Sequence, residues 1–250
     1  MIDVVRVSVT FQTRRGPVHA VNDVSFHIAE NEVFGIVGES VSGKTTLMRT
    51  MIGQLPATAG QVSIDGEMVS RRAPSSFRHK VQVVMKDCYG SLTRGQTVDQ
   101  IIGEPLAIHR FAKHEERTVT TLDEVGLSTS HRFRYPHQLS GGQRHRVAIA
   151  RCIAIEPRMI FLDGPTSALD VSIQAEVVNL IMDLRTKRGL ILVMVSHDLA
   201  LLAHMCDRLA VMHQGKVCEA ITSAALRGQD FSSEHTRTLV AASRPETSDT

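Results

Sequence analysis

The chain has 250 residues, 42% of them apolar and 22% charged, the balance of a globular protein with its own core, which excludes a disordered or fibrous chain. Lys and Arg number 28 against 26 Asp and Glu, so no basic field marks a dedicated nucleic-acid binder, and with aromatics at 4% and no Trp stacking platforms for bases or sugars are not expected. No apolar run approaches the ~18–20 residues of a membrane span, and the opening MIDVVRVSVTF lacks the basic start and apolar stretch of a secretory leader.

From the N-terminus, Ile2, Val4, Val7, Val9 and Phe11 alternate with polar residues, the period of a half-exposed strand. A turn around Arg15-Gly16-Pro17 leads to a second strand at 21–28, and the apolar run 32–37 predicts a short buried strand ending at Gly38. A helix is expected at 45–52, with further strands at 61–64 and 81–85. From about 90 to 155 strand signals fade and helices are predicted at 98–108, 114–125 and 143–155, as an inserted helical subdomain. Strands return at 159–162 and 190–195 around a helix at 173–185. Apolar strands alternating with helices predict an α/β fold with a mostly parallel core sheet. Residues 1–222 are read as one domain and 223–250 as a polar tail, frayed at its end. Cys88, Cys152, Cys206 and Cys218 lie far apart and form no CxxC pair, which reads as reduced thiols in a cytosolic protein.

Gly38-Glu39-Ser40-Val41-Ser42-Gly43-Lys44-Thr45 fits G-x-x-x-x-G-K-[ST], after an apolar strand and before a helix. The backbone N–H groups of such a loop converge on an anion, and the following helix adds its positive end. Lys44 supplies a point charge for phosphates, Thr45 a hydroxyl for Mg²⁺, and Thr46 follows in the same turn. Such a loop needs a partner carboxylate at the end of another buried strand; Met159-Ile160-Phe161-Leu162-Asp163 provides one. Leu139-Ser140-Gly141-Gly142-Gln143 opens a helix; it is either a second phosphate-facing helix start or a simple N-cap with Ser140 capping. Ser196-His197-Asp198 is no hydrolase triad, because consecutive residues on an extended strand point to opposite sides.

Taken in order, the phosphate loop, LSGGQRHR, the stretch from Leu162 to Asp170 and the histidine of VSHD resemble the nucleotide-binding subunit of ATP-binding cassette (ABC) transporters over essentially the whole chain. AVNDVSF, GIVGES, YGSL, RYPHQLSGGQ and HTRTL are similar to the dipeptide, oligopeptide and nickel importer branch. The resemblance implies a P-loop NTPase fold of the ABC type with antiparallel N-terminal strands. It implies ATP and Mg²⁺ as cofactors and Phe11 as the adenine-stacking aromatic. It also implies a head-to-tail dimer in which Ser140, Gly141, Gly142 and Gln143 serve the partner's nucleotide, Asp170 makes a dimer contact and His197 senses the γ-phosphate. Outside that frame His197 reads as an ordinary strand-end histidine. The implied partners are a second cassette, transmembrane permease subunits docking at residues 86–92, and indirectly an external solute-binding protein, on the cytoplasmic face of the inner membrane.

Against that pattern four positions depart. Gly164 stands where a Glu polarises the attacking water, and a glycine has no group to do so. Lys86 replaces a Gln that ligates the metal; an ammonium has no lone pair. Val41 replaces a loop Gly, and a positive φ there would strain a β-branched residue. Cys88 stands where Pro is common. These changes predict weak ATP binding, poor hydrolysis at the chain's own site and an intact surface for a partner cassette, favouring a heterodimer. A non-catalytic nucleotide-gated subunit and a decayed paralogue are the alternatives. A soluble ABC protein of translation or repair is disfavoured, since those carry two cassettes or long coiled coils.

Overall fold

A computed structural model describes residues 1–165 and 170–243. Residues 166–169, within the stretch ending at Asp170, and the tail end 244–250 lie outside the described residues. The elements run β1 (Ile2–Thr13), β2 (Gly16–Ile28), β3 (Val33–Gly38), α1 (Lys44–Met51), β4 (Ala59–Ile64), β5 (Glu67–Met68), α2 (Ser75–Lys80), β6 (Val81–Val84), α3 (Cys88–Ser91), α4 (Val98–Ile108) and α5 (His114–Glu124). After two 3₁₀ turns (Thr129–Phe133 and Pro136–Gln138) follow α6 (Gly141–Ile153), β7 (Met159–Asp163), α7 (Val171–Arg188), β8 (Ile191–Ser196), α8 (Leu199–Met205), β9 (Arg208–His213), β10 (Lys216–Thr222), α9 (Ser223–Gly228) and α10 (Glu234–Ala242). They form two compact units, one of Met1–Ala73 with the chain from Val193 on, the other Pro74–Leu192.

In the first unit β2, β1, β4 and β5 make an antiparallel sheet in that order. Ile2, Val4, Val7 and Val9 of β1 are all buried, although Val4 and Val7 are three residues apart. The register shifts between them, with Arg6 at φ 50°. An extra residue in the strand restores the inward phase. Pro17 lies inside β2 and not in a turn as the sequence suggested: the turn is Arg14-Arg15 and the strand begins at Gly16. β2 is an edge strand, where a missing N–H is tolerated. The second sheet of this unit orders β10-β9-β3-β8, with β3 and β9 parallel and β9 and β10 antiparallel. β3 and β8 are buried throughout, which explains their unbroken apolar runs. The entry to β3 is tied to the start of β9: Asp207 Oδ2 accepts from Val33 N at 2.8 Å, and Arg208 Nε donates to the buried Glu32 at 2.6 Å.

In the second unit β6 and β7 pair in parallel, with the helices α4, α5 and α6 between them in sequence. Helix α4 starts in a capping box between Thr97 and Gln100. Arg132, with only 13% of its side chain exposed, donates to Asp99 at 2.7 Å and Glu115 at 3.0 Å, fastening α4 to α5.

The longer predicted elements up to β8 are all observed. The sequence reading did not find β5, α2, α3, α8 or the β9–β10 pair, and from Ser223, read as a polar tail, the chain folds into α9 and α10. Both are short helices capped by Thr222 and Ser233, and short amphipathic pieces owe their stability to packing and not to local propensity.

Gly35 in β3 is packed so closely that a Cβ would lie 2.4 Å from Leu209 Cδ2 and 3.0 Å from Cys206 Sγ. Gly35→Ala is expected to destabilise the fold by ~1–3 kcal/mol through overpacking, read as a lower urea midpoint at unchanged slope.

Candidate phosphate-binding site

The loop from Gly38 to Thr45 joins the buried strand β3 to α1, as the sequence predicts. Gly43 is the N-cap of α1 at φ 102°, no side chain caps the helix, and its first turn carries no acid. The first-turn N–H groups of a helix have no intrahelical acceptor, so an anion is the natural partner for this end. Lys44 Nζ donates back to Gly38 O at 2.8 Å, Glu39 O at 2.6 Å and Ser42 Oγ at 3.3 Å, which holds the ammonium over the loop. Thr45 and Thr46 are half-buried beside it, while Glu39 and Ser40 are exposed and Ser42 is buried.

The loop is shaped by close approaches. A Cβ at Gly43 would sit 2.2 Å from Ala20 O, and one at Gly38 would sit 2.2 Å from Met212 O and 2.8 Å from Ser42 Oγ. No side chain fits at either position. A cavity of about 320 Å³ opens on the loop, lined by residues 18–20 of β2, 41–46 of the loop and helix, and Gln214-Gly215 of the β9–β10 turn. That volume is at the lower end of ligand pockets. The residues fit an anion: an uncapped helix start, a fixed ammonium and two hydroxyls. A triphosphate would be held by the loop backbone and Lys44, and Thr45 is the candidate Mg²⁺ ligand of this unit. The metal would supply charge neutralisation between phosphate oxygens.

Val41 has φ 66° and is fully exposed, so a β-branched residue holds a left-handed backbone at this position, the strain expected from the sequence. Phe11 is 40% exposed and pairs across strands with Val18, itself 50% exposed; the pair presents an apolar surface, and Val18 lines the cavity. Sequence reasoning missed His19, Ala20 and the Gln214-Gly215 turn as cavity residues. The turn had a usable signal, an X-Gly pair between two apolar runs. His197 follows β8 and is exposed. Its neighbours are locally engaged: Asp198 N donates to Ser196 Oγ at 2.9 Å, and Asp198 Oδ1 caps α8 through Leu201 N at 2.9 Å, as expected of residues that form no triad.

In the second unit Asp163 ends β7 and is half-buried. Gly164 follows at φ 55°, buried; a side chain there costs ~1–2 kcal/mol in a left-handed backbone. Ser140 caps α6: its Oγ accepts from Gln143 N at 3.2 Å, and Gln143 Oε1 accepts from Ser140 N at 3.0 Å. The simple-cap reading of this stretch therefore holds in its full reciprocal form. Ser140 and Gly141 are exposed and Gly142 is buried, where a Cβ would lie 2.9 Å from Ile173 Cγ2. Asp170 is exposed and sits at the N-cap of α7 without a side-chain cap bond.

Lys86 is exposed and, with Asp87, Cys88, Tyr89, Gly141, Arg144 and His145, lines a cavity of about 430 Å³. Burial and the neighbouring Cys152 push the Cys88 thiol up to about 12, so it is an inert thiol that donates to Met85 O at 3.3 Å. Cys88 is the first residue of α3, a position that suits Pro because its N–H is unpaired there anyway. Cys152 and Cys206 are also buried free thiols, and Cys218 is exposed. Burial lowers the proton affinity of His145, whose Nδ1 lies 3.3 Å from Gly141 O.

Because Val41 buries nothing, Val41→Gly removes strain of ~1–3 kcal/mol against ~0.5–1 kcal/mol of added unfolded-chain freedom. A net stabilisation of ~1 kcal/mol is expected in urea unfolding, with nucleotide affinity, read by calorimetry, unchanged or tighter.

Residues 21–167 match the family model described as ABC transporter. The oligopeptide transport ATP-binding protein OppF of Streptococcus mutans is 43% identical over 231 residues, covering 89% of this chain and 75% of that protein. OppF of Bacillus subtilis is 43% identical over 227 residues, covering 88% and 74%. A putative peptide import ATP-binding protein of Brucella ovis is 41% identical over 238 residues, covering 93% and 75%. Among solved structures, the dimeric post-hydrolysis state of the ATP-binding cassette MJ0796 bound to ADP and Pi has a TM-score of 0.79 at 27% identity, covering 89% of this chain and 99% of that one. The structure of cbiO1 from Clostridium perfringens, part of the ABC transporter complex cbiONQ, has a TM-score of 0.79 at 25% identity, covering 91% and 90%. With a phosphate loop built as its motif requires and relatives of this similarity along most of its length, the chain belongs to the ABC transporter family, as one of its ATP-binding cassettes.

Proposed function

We propose that the chain is the ATP-binding subunit of an ABC importer for peptides, with nickel as the alternative solute, and that its own hydrolytic site is impaired. The observation that carries the reading is the uncapped, acid-free N-terminus of α1 behind a loop that holds Lys44 over it. Relatives named as oligopeptide or peptide import ATP-binding proteins, 41–43% identical, support the solute class.

In this reading residues 38–46 bind the triphosphate of ATP, Phe11 and Val18 offer an apolar face for the adenine, and Thr45 offers its hydroxyl to Mg²⁺, while Asp163 at the end of β7 is the carboxylate that the sequence motif gives to the metal. Ser140, Gly141, Gly142 and Gln143 serve the nucleotide of a second cassette, with Asp170 at the contact and His197 as γ-phosphate sensor. The two cassettes close on ATP, and the differential affinity of nucleotide for the closed state drives the permease subunits between theirs. The segment 86–92 and its neighbouring helices are the permease-docking side. No described helix is long and apolar enough to cross a membrane, which suits a peripheral subunit on the cytoplasmic face of the inner membrane.

The chemistry of the residues supports the impairment. A glycine at position 164 offers no general base, whose loss typically costs ~10²–10⁴-fold in rate. The left-handed φ of Gly164 disfavours any side chain there, and Lys86 cannot ligate Mg²⁺. The same chain retains the complete signature stretch, so a second, intact cassette would gain a working site from it, and a heterodimer follows.

The test is steady-state hydrolysis of Mg-ATP by the purified chain, alone and mixed with an intact cassette. The expected outcome is nucleotide binding lost in Lys44→Ala, turnover of the chain alone ~10²–10⁴-fold below that of a cassette with the Glu, and turnover in the mixture that falls when Ser140 is changed to Arg. Ordinary turnover by the chain alone, abolished by Lys44→Ala, would refute the impaired site.

A further inference from the structure

The β9–β10 hairpin touches both the phosphate loop and helix α10. The β9–β10 hairpin closes at the pair His213–Lys216, and its two turn residues, Gln214 at φ 45° and Gly215 at φ 78°, both lie in the left-handed region, as a type I′ turn demands. This turn is fixed on both sides. Gly215 N donates to Ser42 O of the phosphate loop at 3.0 Å, and Asn22 N of β2 donates to Gly215 O at 2.7 Å. A Cβ on Gly215 would lie 3.1 Å from Ala20 O and 3.2 Å from His19 O, so turn and β2 are already at contact.

The same hairpin carries α10. The ring of His213, adjacent to the turn, packs on His235 of α10 with centroids 3.8 Å apart and planes 35° apart. On β10, Glu219 accepts from Ser232 N and Ser232 Oγ, each at 2.7 Å, and from Ser233 N at 3.2 Å. Ser233 is in turn the N-cap of α10. Burial alone would raise the Glu219 carboxyl, but the bonds from Ser232, with those of Thr236 and Ser233, outweigh it and hold it below the usual carboxylate range. Thr236 and Leu239 complete the buried face of α10.

We infer that α10 sets the phosphate loop through this hairpin: seating of α10 on His213 and Glu219 favours the binding-competent loop, and occupation of the loop tightens α10 in return. Packed side chains at contact distance transmit displacement and do not absorb it, and the coupling of two binding equilibria is reciprocal. The inference rests on the reading of the loop as a nucleotide site, but the mechanical half of it does not.

The experiment uses the full chain and its variants His235→Ala, Glu219→Gln and His235→Phe, with hydrogen exchange followed by mass spectrometry and calorimetry with Mg-AMP-PNP. Without nucleotide, His235→Ala and Glu219→Gln are expected to speed exchange in segments 38–46 and 213–216 as well as in α10, while His235→Phe, which keeps a ring against His213, stays within ~2-fold of the unchanged chain. With nucleotide, the unchanged chain is expected to show slower exchange in α10, and His235→Ala and Glu219→Gln to bind ~5–50-fold more weakly, within the usual range of such couplings. If α10 loosens in both variants while exchange of 38–46 does not change, the inference is overturned whatever the ligand. Failure of the unchanged chain to take AMP-PNP, with the loop still responding to His235→Ala, sinks the nucleotide reading and leaves the coupling standing.

Discussion

Backbone meets backbone at the phosphate loop with no room for a side chain. Gly38 sits against Met212 O of β9 and Gly43 against Ala20 O of β2, and the β9–β10 turn is bonded to Ser42 O from the other side. These approaches bend the chain between β3 and α1, aim the helix start into the cavity and keep Lys44 above it. Without them the residues of the motif would still be present, but nothing would hold the loop in this bend between β3 and α1. The binding chemistry is therefore a property of three chain segments, two of them far from the motif in sequence.

The two helix starts proposed to face phosphates are built oppositely. Helix α1 has a glycine N-cap, no side-chain cap and no first-turn acid, which leaves its positive end for a ligand. Helix α6 is closed by the Ser140–Gln143 box and is satisfied by its own side chains. This suits the division of labour proposed for them. The loop at α1 needs an anion of its own, whereas the α6 start is complete without one and presents exposed Ser140 and Gly141.

The positions proposed to depart from the family pattern also differ in kind. At Val41 the backbone keeps a left-handed φ, and the side chain, fully in solvent, adapts at the cost of strain. At residue 164 the backbone is left-handed and the residue is a glycine, which has no side chain to strain there. Cys88 is the mild case, a small apolar residue in a helix-start position whose sulfur finds Met85 O.

By itself the sequence determined the longer elements up to β8, though not the short β5, α2 and α3, because long apolar runs and regular alternation report burial directly. The strand–loop–helix at Lys44, the half-buried Asp163 at a strand end and the N-cap at Ser140 were all legible there, since each depends on residues within a few positions of one another. What only the tertiary structure decided was whatever joins distant segments. It places Ala20, Met212 and Gly215 around the loop, sets the phase-restoring irregularity at Arg6, and folds the segment after Ser223 into helices against β10. Contacts between segments distant in sequence leave no local periodicity to read. A short polar stretch such as the one after Ser223 has its conformation fixed by the surface on which it packs.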